Sequence, residues 1–343
     1  MSITFSNKKS LSFDELQKIE DELYRKFFIP DTIKAQNCNL SDVFKRKTEK
    51  IIEQDYNVPQ NIFLLSNYKG HVIVGRKIKS ILNIEGKINA INCSMITASM
   101  ILGFLKSRKK FGRSIEVVFF PLTQNEKIFI FDEIKKNRLI DIYYPYRYRN
   151  FVTNKEKICA RTGWIYSKKR KKILSQGEEH YRRYTKKRFK HYIFVNKKIY
   201  DPACSTGEFL YKLKKSYPMC YTIGHDLSAE MVEHASKFLD ETFCCNALNS
   251  PIKEATIDMM FVRFLNSEIV TSKMAYKIMK VLIKKVKNGG LIICFGHTRV
   301  LLRKELFKKM SLNILECNGY DRKRNAIFQY YILEKKIIFK NSD

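Results

Sequence analysis

Two aspartates spaced 25 residues apart are the residues of this sequence whose types and positions most clearly suggest chemistry. Asp201 opens the segment DPACSTGEFL and Asp226 stands in GHDLS, and each lies near the end of a short run that predicts a strand. Small residues at 203, 205 and 207 would let a ligand press against the backbone, where the following helix offers free N–H groups. An acid at the end of the second strand can accept hydrogen bonds from both hydroxyls of a ribose. The pair therefore predicts a site for an adenosine-containing ligand, although Asp226 could instead only cap the helix that follows it.

The elements that must position these residues alternate between strands and helices over the second half of the chain. Strands followed by helices of about 10–15 residues predict an α/β fold with a Rossmann-like, doubly wound, mostly parallel sheet. The last two strands are neighbours in sequence and predict an antiparallel edge. The predicted strands are Lys198–Ala203, Met219–His225, Thr242–Cys245, Ile257–Phe264, Leu291–Phe295, Leu312–Cys317 and Ala326–Leu333. The predicted helices begin at Glu208, after a cap at Ser228, at Ser272 and at Val300.

The first 150 residues predict a separate N-terminal α/β or α+β domain that contains no recognisable chemical motif. Leu11–Phe28 has apolar residues at helical spacing, and the uncharged run Ile88–Leu105 predicts a second, buried helix. Ile115–Leu122 and Lys127–Phe131 predict two strands, joined by a turn at Thr123–Glu126.

Positive charge is concentrated before the predicted sheet. The formal net charge of the chain is +31, and residues 155–198 carry 16 basic and 3 acidic residues. Such a surface attracts polyanions or an acidic partner, although a generally Lys-rich composition gives the same total. We predict three parts: an N-terminal substrate or partner domain at 1–153, a basic connecting helical segment at 154–192, and the α/β domain at 193–338.

The cysteines and the start of the chain predict a cytoplasmic protein. The nine cysteines include no CxxC pair and no zinc-ligand spacing, so we predict reduced thiols and no metal site. The first residues show no apolar run behind positive charges, as a secretory signal would. The uncharged run at 88–105 is long enough to cross a bilayer, but Asn, Ser and Thr interrupt it, and we predict no membrane span. The sequence does not predict the oligomeric state.

Residues 193–338 resemble the class I S-adenosylmethionine-dependent methyltransferases. The first motif of that family, an acid before a glycine-rich turn, is matched by DPACSTGEFL, and its Gly-Gly turn before strand five by KNGGLIICFG. GHDLS matches its acidic second-strand end. Ala203 and Ser205 replace the usual first two glycines, but both are small. The resemblance implies an enzyme with S-adenosyl-L-methionine as cofactor. A dinucleotide oxidoreductase, the competing interpretation, leaves the Gly-Gly turn unexplained.

The resemblance assigns residues to each part of the cofactor. The turn after the first strand would face the methionine part, and the acid at the end of the second strand would face the ribose. Residues after the second and third strands would face the adenine, and residues after the fourth strand would form the floor of the pocket. A tyrosine on the preceding helix would cover the cofactor or, equally, would only pack that helix onto the sheet. The implied cofactor-binding residues are Asp201, Ala203, Ser205, Gly207, Asp226, Leu227, Asn246, Ala247, Phe264 and Tyr184.

The chemistry implied by the resemblance requires the protein chiefly to place a nucleophile in line with the methyl group. A hydroxyl or ammonium acceptor must also lose a proton. Asn266, Glu268 and His297 follow predicted strands four and five and are the candidates for orienting or deprotonating the acceptor. Glu268 could instead be a solvated loop charge, and His297 could cap a helix.

Three functions are consistent with the sequence. The first is methyl transfer to an oxygen, nitrogen or carboxylate of a small metabolite or carrier-bound intermediate, enclosed by residues 1–153. The second is an RNA, or less favoured DNA, methyltransferase, in which 155–198 binds phosphates and its aromatics stack on bases. These aromatics are Tyr166, Tyr181, Tyr184 and Phe189. DPAC also resembles adenine-N6 DNA methyltransferases, but FVRFLNSE lacks the proline-containing signature of that class. The third is a non-catalytic binding module, which the two strand-end acids disfavour.

Overall fold

The computed structural model describes residues 38–54, 62–76, 95–112, 114–145, 165–168, 178–266, 269–296 and 299–336. The chain divides into two compact units. The N-terminal unit comprises Met1–Glu156 and Asn318–Gln329, and the C-terminal unit comprises Lys157–Cys317 and Tyr330–Asp343. Among the described helices, none has the length and apolar character needed to cross a membrane.

The N-terminal unit contains a six-stranded antiparallel sheet in the order β1-β5-β4-β3-β2-β6. A cluster of buried apolar side chains from β2, β3 and β5, including Leu64, Val74 and Val117, forms part of its core. The elements are β1 (Glu49–Gln54), β2 (Ile62–Tyr68), β3 (His71–Arg76), β4 (Ile101–Phe111), β5 (Ser114–Pro121), β6 (Asp141–Tyr143) and helix α1 (Gln124–Ile134), with short 3-10 turns at Leu40–Lys45 and Ala98–Met100.

The helix predicted to end at Leu105 is wrong in its described part. From Ile101 the chain forms β4, which pairs with β3 on one side and β5 on the other. A short apolar run fits a buried helix and a buried strand equally well, so the neighbouring strands decide the outcome. The helix predicted for Leu11–Phe28 lies outside the described residues.

The strand predicted at Lys127–Phe131 is also wrong, because this segment lies inside α1. The hydroxyl of Thr123 accepts a hydrogen bond from the Glu126 N–H, and the Glu126 carboxylate accepts one from the Thr123 N–H. This capping box starts a helix at the site where the sequence predicted a turn. The strand predicted at Ile115–Leu122 is confirmed as β5.

The C-terminal unit contains a seven-stranded sheet in the order β12-β13-β11-β10-β7-β8-β9. The pairings from β11 to β9 are parallel and β13 runs antiparallel to β11, so the predicted Rossmann-like, mostly parallel sheet with an antiparallel edge is confirmed. Its strands are β7 (Lys198–Asp201), β8 (Tyr221–Asp226), β9 (Glu241–Cys244), β10 (Ile257–Val262), β11 (Val286–Phe295), β12 (Leu312–Asp321) and β13 (Ala326–Lys335). Its helices are α2 (Glu179–Arg188), α3 (Glu208–Lys214), α4 (Ala229–Ser236), α5 (Ser272–Lys285) and α6 (Lys304–Lys309).

The strand order reverses between β7 and β10. From β7 the chain continues to β8 and β9 in one direction, and then returns to place β10 and β11 on the other side of β7. In doubly wound sheets, ligands bind in the crevice at the carboxyl ends of the strands at this reversal. Asp201 and Asp226 are the last residues of β7 and β8, so the fold brings both to that crevice.

The outer ends of the two last strands belong to the other unit. Asn318–Gln329, which spans the end of β12 and the start of β13, is part of the N-terminal unit. There, the Asn318 amide donates hydrogen bonds to the carbonyls of Asn137 and Ile140, at 3.1 and 2.9 Å. Ile327 and Ile96 exchange two backbone hydrogen bonds of 2.8 and 2.9 Å.

Candidate cofactor site

The turn between β7 and α3 contains two residues in the left-handed backbone region, which favours glycine. Gly207 has a φ of +74° and Ser205 a φ of +51°. A Cβ at Gly207 would lie 3.0 Å from the Cβ of Ala235, so this position is closed to larger residues by its space as well as by its backbone. The Cys204 N–H donates to the carbonyl of His225 at 2.8 Å and ties the turn to β8.

Asp226 connects the tip of β8 to this turn. One carboxylate oxygen accepts from the Ser205 N–H at 2.9 Å, and the other accepts from the Ser228 N–H at 3.0 Å. Burial raises the pKa of Asp226, and these backbone N–H groups oppose the rise. The helix cap of α4 is the Ser228 hydroxyl, which accepts from the Met231 N–H. A carboxylate has about four acceptor positions and the backbone N–H groups do not fill all of them, so Asp226 can still accept from the ribose.

Asp201 is completely buried, and both of its oxygens have protein partners. One oxygen accepts from the Ala203 N–H at 3.1 Å, and the other accepts from Nε of Arg263 at 2.7 Å. Burial raises the pKa of Asp201, and the charge of Arg263 opposes that rise. This placement favours a role in holding the turn from beneath, rather than the contact with the methionine part that the resemblance implies.

Arg263, which the sequence did not single out, lies directly after β10 and connects several parts of the site. Besides Asp201 it pairs with Glu178, and its Nη2 lies 3.4 Å from the carbonyls of Ala203 and Cys204. Burial alone would lower the pKa of Arg263, but the charges of the two acids raise it, so the guanidinium stays charged. The signal in the sequence was an Arg at the end of a strand that is apolar apart from Asp258.

A second polar cluster joins β7 and β8 to the chain that follows β9. The hydroxyl of Tyr200 is 2.7 Å from Nδ1 of His225 and 2.9 Å from Oγ of Ser250, and Sγ of Cys245 is 3.4 Å from the same histidine nitrogen. Burial lowers the pKa of His225 to about 4, so its imidazole is neutral at physiological pH. These contacts fix the strand ends from which the two aspartates extend.

The residues expected near adenine follow β8 and β9. Leu227 is half-buried, and its carbonyl accepts a weak hydrogen bond from the Cys244 thiol at 3.7 Å. Asn246 is exposed, and its side chain accepts from the Leu248 N–H, which caps the short 3-10 turn that contains buried Ala247. Leu227 thus directly follows β8, and Asn246 and Ala247 lie just after β9, at the strand ends where we expected them. Phe264, after β10, is half-buried against the core.

Tyr184 on α2 is buried and its hydroxyl donates to Glu316 at 2.8 Å. Tyr181 is buried as well, stacks on Phe295 and donates to the carbonyl of Gly296. These contacts favour the alternative in which the tyrosines pack the helix onto the sheet. They also contradict base stacking by Tyr181, Tyr184 and Phe189, because all three side chains are buried.

Of the three catalytic candidates, the structure describes Asn266. It is buried, its side-chain amide donates to the carbonyl of Arg263 at 3.3 Å, and its backbone forms a bridge with Val300. It therefore lies beside the crevice, at the carboxyl end of β10. Glu268 and His297 lie outside the described residues.

The crevice has the chemistry that S-adenosylmethionine requires. Asp226 provides a carboxylate with free acceptor capacity, the turn provides small residues and a left-handed glycine, and the N-terminus of α3 follows directly. A donor set of this kind fits a nucleoside joined to an amino acid.

Comparisons with known proteins agree with this assignment. Residues 199–290 match a family model described as a methyltransferase domain. Isonocardicin synthase from Nocardia uniformis subsp. tsuyamanensis is 28% identical over 301 residues, which cover 86% of this chain and 99% of that enzyme.

Similar solved structures were found with low sequence identity. Magnesium protoporphyrin IX methyltransferase from Synechocystis PCC 6803, with bound S-adenosylmethionine, is 10% identical, has a TM-score of 0.38 and covers 51% of this chain and 86% of its own. The plantazolicin methyltransferase in complex with S-adenosylhomocysteine is 13% identical, has a TM-score of 0.37 and covers 50% of this chain and 91% of its own.

Proposed function

We propose that this chain, an S-adenosylmethionine-dependent methyltransferase, transfers a methyl group to an oxygen, nitrogen or carboxylate of a small metabolite or a carrier-bound intermediate. The observation that carries the acceptor class is the extent of the match to isonocardicin synthase. The match covers 86% of this chain, so it includes sequence from both units and is not confined to the methyltransferase domain. That relative is named for a small-molecule product, and a shared N-terminal unit supports a related class of acceptor.

The residues of the crevice have separable tasks in this reaction. The cofactor supplies a methyl group activated by a positively charged sulfur. Asp226 accepts hydrogen bonds from the ribose hydroxyls, and the turn at 203–207 supports the methionine part with its backbone. Asn266 is our candidate for orienting the acceptor, and Glu268 and His297 are our candidates for removing its proton.

The second candidate function is methylation of RNA, with DNA less favoured. It depends on the positive charge of residues 155–198, which carry 16 basic and 3 acidic residues. The described aromatics on α2 are buried in packing contacts, so base stacking adds little support to this function. We therefore favour the small-molecule acceptor.

The test uses S-adenosylmethionine labelled either in its methyl group or in its carboxyl carbon. The purified chain is incubated with each labelled cofactor and a small-molecule extract freed of nucleic acid. We expect enzyme-dependent transfer of the methyl label to a small acceptor, while the carboxyl label stays on S-adenosylhomocysteine. Methyl label found only on RNA or DNA would contradict the acceptor class, and a transferred carboxyl label would contradict methyl transfer.

Asp226→Ala serves as the cofactor-deficient variant in this assay. Losing a carboxylate that holds two hydroxyls is expected to weaken cofactor binding by about 2–4 kcal/mol. Glu254→Ala, a change at an exposed acid of the same unit, is the control and should bind normally. Unchanged affinity of Asp226→Ala by calorimetry would remove Asp226 from the ribose role.

A further inference from the structure

Glu178 is an acid of the site to which neither the sequence motifs nor the comparisons assign a role. It immediately precedes α2 and lies outside residues 199–290, which match the methyltransferase domain. Its carboxylate pairs with Nη1 of Arg263, the same guanidinium that holds Asp201. The side chain of Glu178 is 17% exposed, whereas that of Asp201 is 0% exposed. Of the two acids on Arg263, Glu178 is therefore the accessible one.

Arg263 brings Glu178 next to the cofactor turn. Its Nη2 lies 3.4 Å from the carbonyls of Ala203 and Cys204, and its Nε contacts Asp201. Because these nitrogens belong to one planar group, the Glu178 carboxylate must lie close to the same part of the turn. That part follows β7 directly, where the methionine end of the cofactor is expected.

Glu178 also offers its acceptor capacity at a partly exposed carboxylate, whereas the carboxylate of Asp201 has no exposed surface. One oxygen of Glu178 accepts from Arg263, whereas the other is 3.9 Å from Nη1 of Arg182, which is beyond hydrogen-bonding distance. Each oxygen of Asp201 accepts one hydrogen bond, from the Ala203 N–H or from Arg263, and its side chain is closed to further donors by complete burial. An ammonium group carries three donors and, when it leaves water, needs an anion close to it. Glu178 is the acid at this end of the crevice that can provide one.

We propose that Glu178 binds the ammonium group of the cofactor's methionine part, and that Arg263 is the positioning residue that holds Glu178 and Asp201 at the turn. The assignment depends on the chain binding S-adenosylmethionine, and it is independent of the acceptor. In this assignment the methionine part contacts Glu178, which is 23 residues earlier in the chain than Asp201, and does not contact Asp201 directly.

The test compares a ligand that carries the ammonium group with one that lacks it. Calorimetry measures the affinity of S-adenosylhomocysteine and of 5′-methylthioadenosine, which keeps the nucleoside and the sulfur but has no amino acid part. Glu178→Gln should weaken S-adenosylhomocysteine by about 10- to 100-fold, the usual effect of losing a charge-assisted hydrogen bond. It should leave 5′-methylthioadenosine unchanged within about twofold, because the nucleoside contacts are intact.

Glu179→Gln is the matched control, because it makes the same change one residue later. Glu179 is 48% exposed and pairs with Arg182 and Arg183, so its variant should bind both ligands normally. Equal weakening of both ligands by Glu178→Gln would assign Glu178 a purely structural role and overturn the proposal. Unchanged binding of S-adenosylhomocysteine would overturn it as well.

Two further measurements keep the outcome unambiguous. If Glu178→Gln does not fold, Glu178→Asp, which keeps the charge on a shorter side chain, should weaken S-adenosylhomocysteine more than 5′-methylthioadenosine; an equal effect on both would contradict the proposal. Arg263→Lys keeps the charge but loses the planar guanidinium, and it should likewise weaken S-adenosylhomocysteine more than 5′-methylthioadenosine. If the unaltered chain binds neither ligand, the cofactor assignment itself fails, which is a different result from a failure of Glu178.

Discussion

At the carboxyl ends of β7 and β8, two aspartates of equal appearance in the sequence have different surroundings. Asp201 is buried, and both of its oxygens are held by the turn and by Arg263. Asp226 is half-buried and accepts from two backbone N–H groups, with acceptor positions left over. At the scale of the residue, burial and partners separate a supporting acid from a ligand-binding acid.

His225 is expected to make the stability of the C-terminal unit depend on pH. Burial holds its pKa at about 4 in the folded chain, against about 6.5 when unfolded, so between these values the unfolded state binds more protons. The contribution of His225 to the free energy of unfolding is therefore full above about pH 6.5 and is lost as the pH falls toward 4. When the pH is lowered from 7 to 5, the free energy of unfolding should decrease by about 2 kcal/mol less in His225→Asn than in the unaltered chain.

Urea unfolding at the two pH values measures this difference, and the comparison between variants removes the contributions of other groups. Exposed His191→Asn in the same unit is the control and should keep the pH dependence of the unaltered chain. If His225→Asn lost as much free energy as the unaltered chain, the histidine would not be the source.

At the scale of the element, α1 and β4 are the two elements whose secondary structure the local sequence pattern predicted wrongly. The apolar run in KIFIF suited a strand, but the capping box of Thr123 and Glu126 starts a helix just before it. The Glu126 carboxylate is in turn held by Arg46 through hydrogen bonds of 2.6 and 2.7 Å, from a residue 80 positions away. β4, in contrast, has no comparable local signal, and its pairing with β3 and β5 decides its conformation.

Thr123→Ala should destabilise the N-terminal unit because it removes the side-chain acceptor at the start of α1. The expected loss is about 1 kcal/mol of unfolding free energy, typical for removing a helix N-cap. Thr123→Ser retains the hydroxyl and should stay close to the unaltered chain. Hydrogen exchange of the α1 amides, measured together with urea unfolding, localises the effect. Equal losses for the alanine and serine variants would show that the cap hydroxyl contributes nothing.

At the scale of the whole molecule, positive charge is the dominant feature. With a net charge of +31, the positive side chains repel one another in the folded state, and this destabilisation is smaller when salt screens the charges. Part of the charge lies on exposed strand surface, since Lys106, Arg108, Lys109 and Lys110 of β4 are all exposed. The charge affects stability and association with polyanions whatever the acceptor is.

Salt should therefore stabilise this chain. Raising NaCl from about 20 mM to about 200 mM shortens the screening distance from roughly 20 Å to below 10 Å and should raise the Tm. A triple variant, Lys106→Glu, Lys109→Glu and Lys110→Glu, lowers the net charge and should show a smaller rise. Thermal scans of both proteins across the salt series make the comparison. A Tm that is independent of salt, or an equal rise in both proteins, would contradict self-repulsion as the cause.

The sequence by itself determined the alternation of strands and helices in the C-terminal unit, the Ser228 cap and the two acids at strand ends. These features follow from periodicity and turn chemistry that act over a few neighbouring residues. Only the tertiary structure brought Glu178, Asp201 and Arg263 together, from three elements separated by up to 85 residues. The partner of a buried charge is set by strand order and packing, which local patterns do not encode; the same reason explains why β4 and α1 were predicted wrongly.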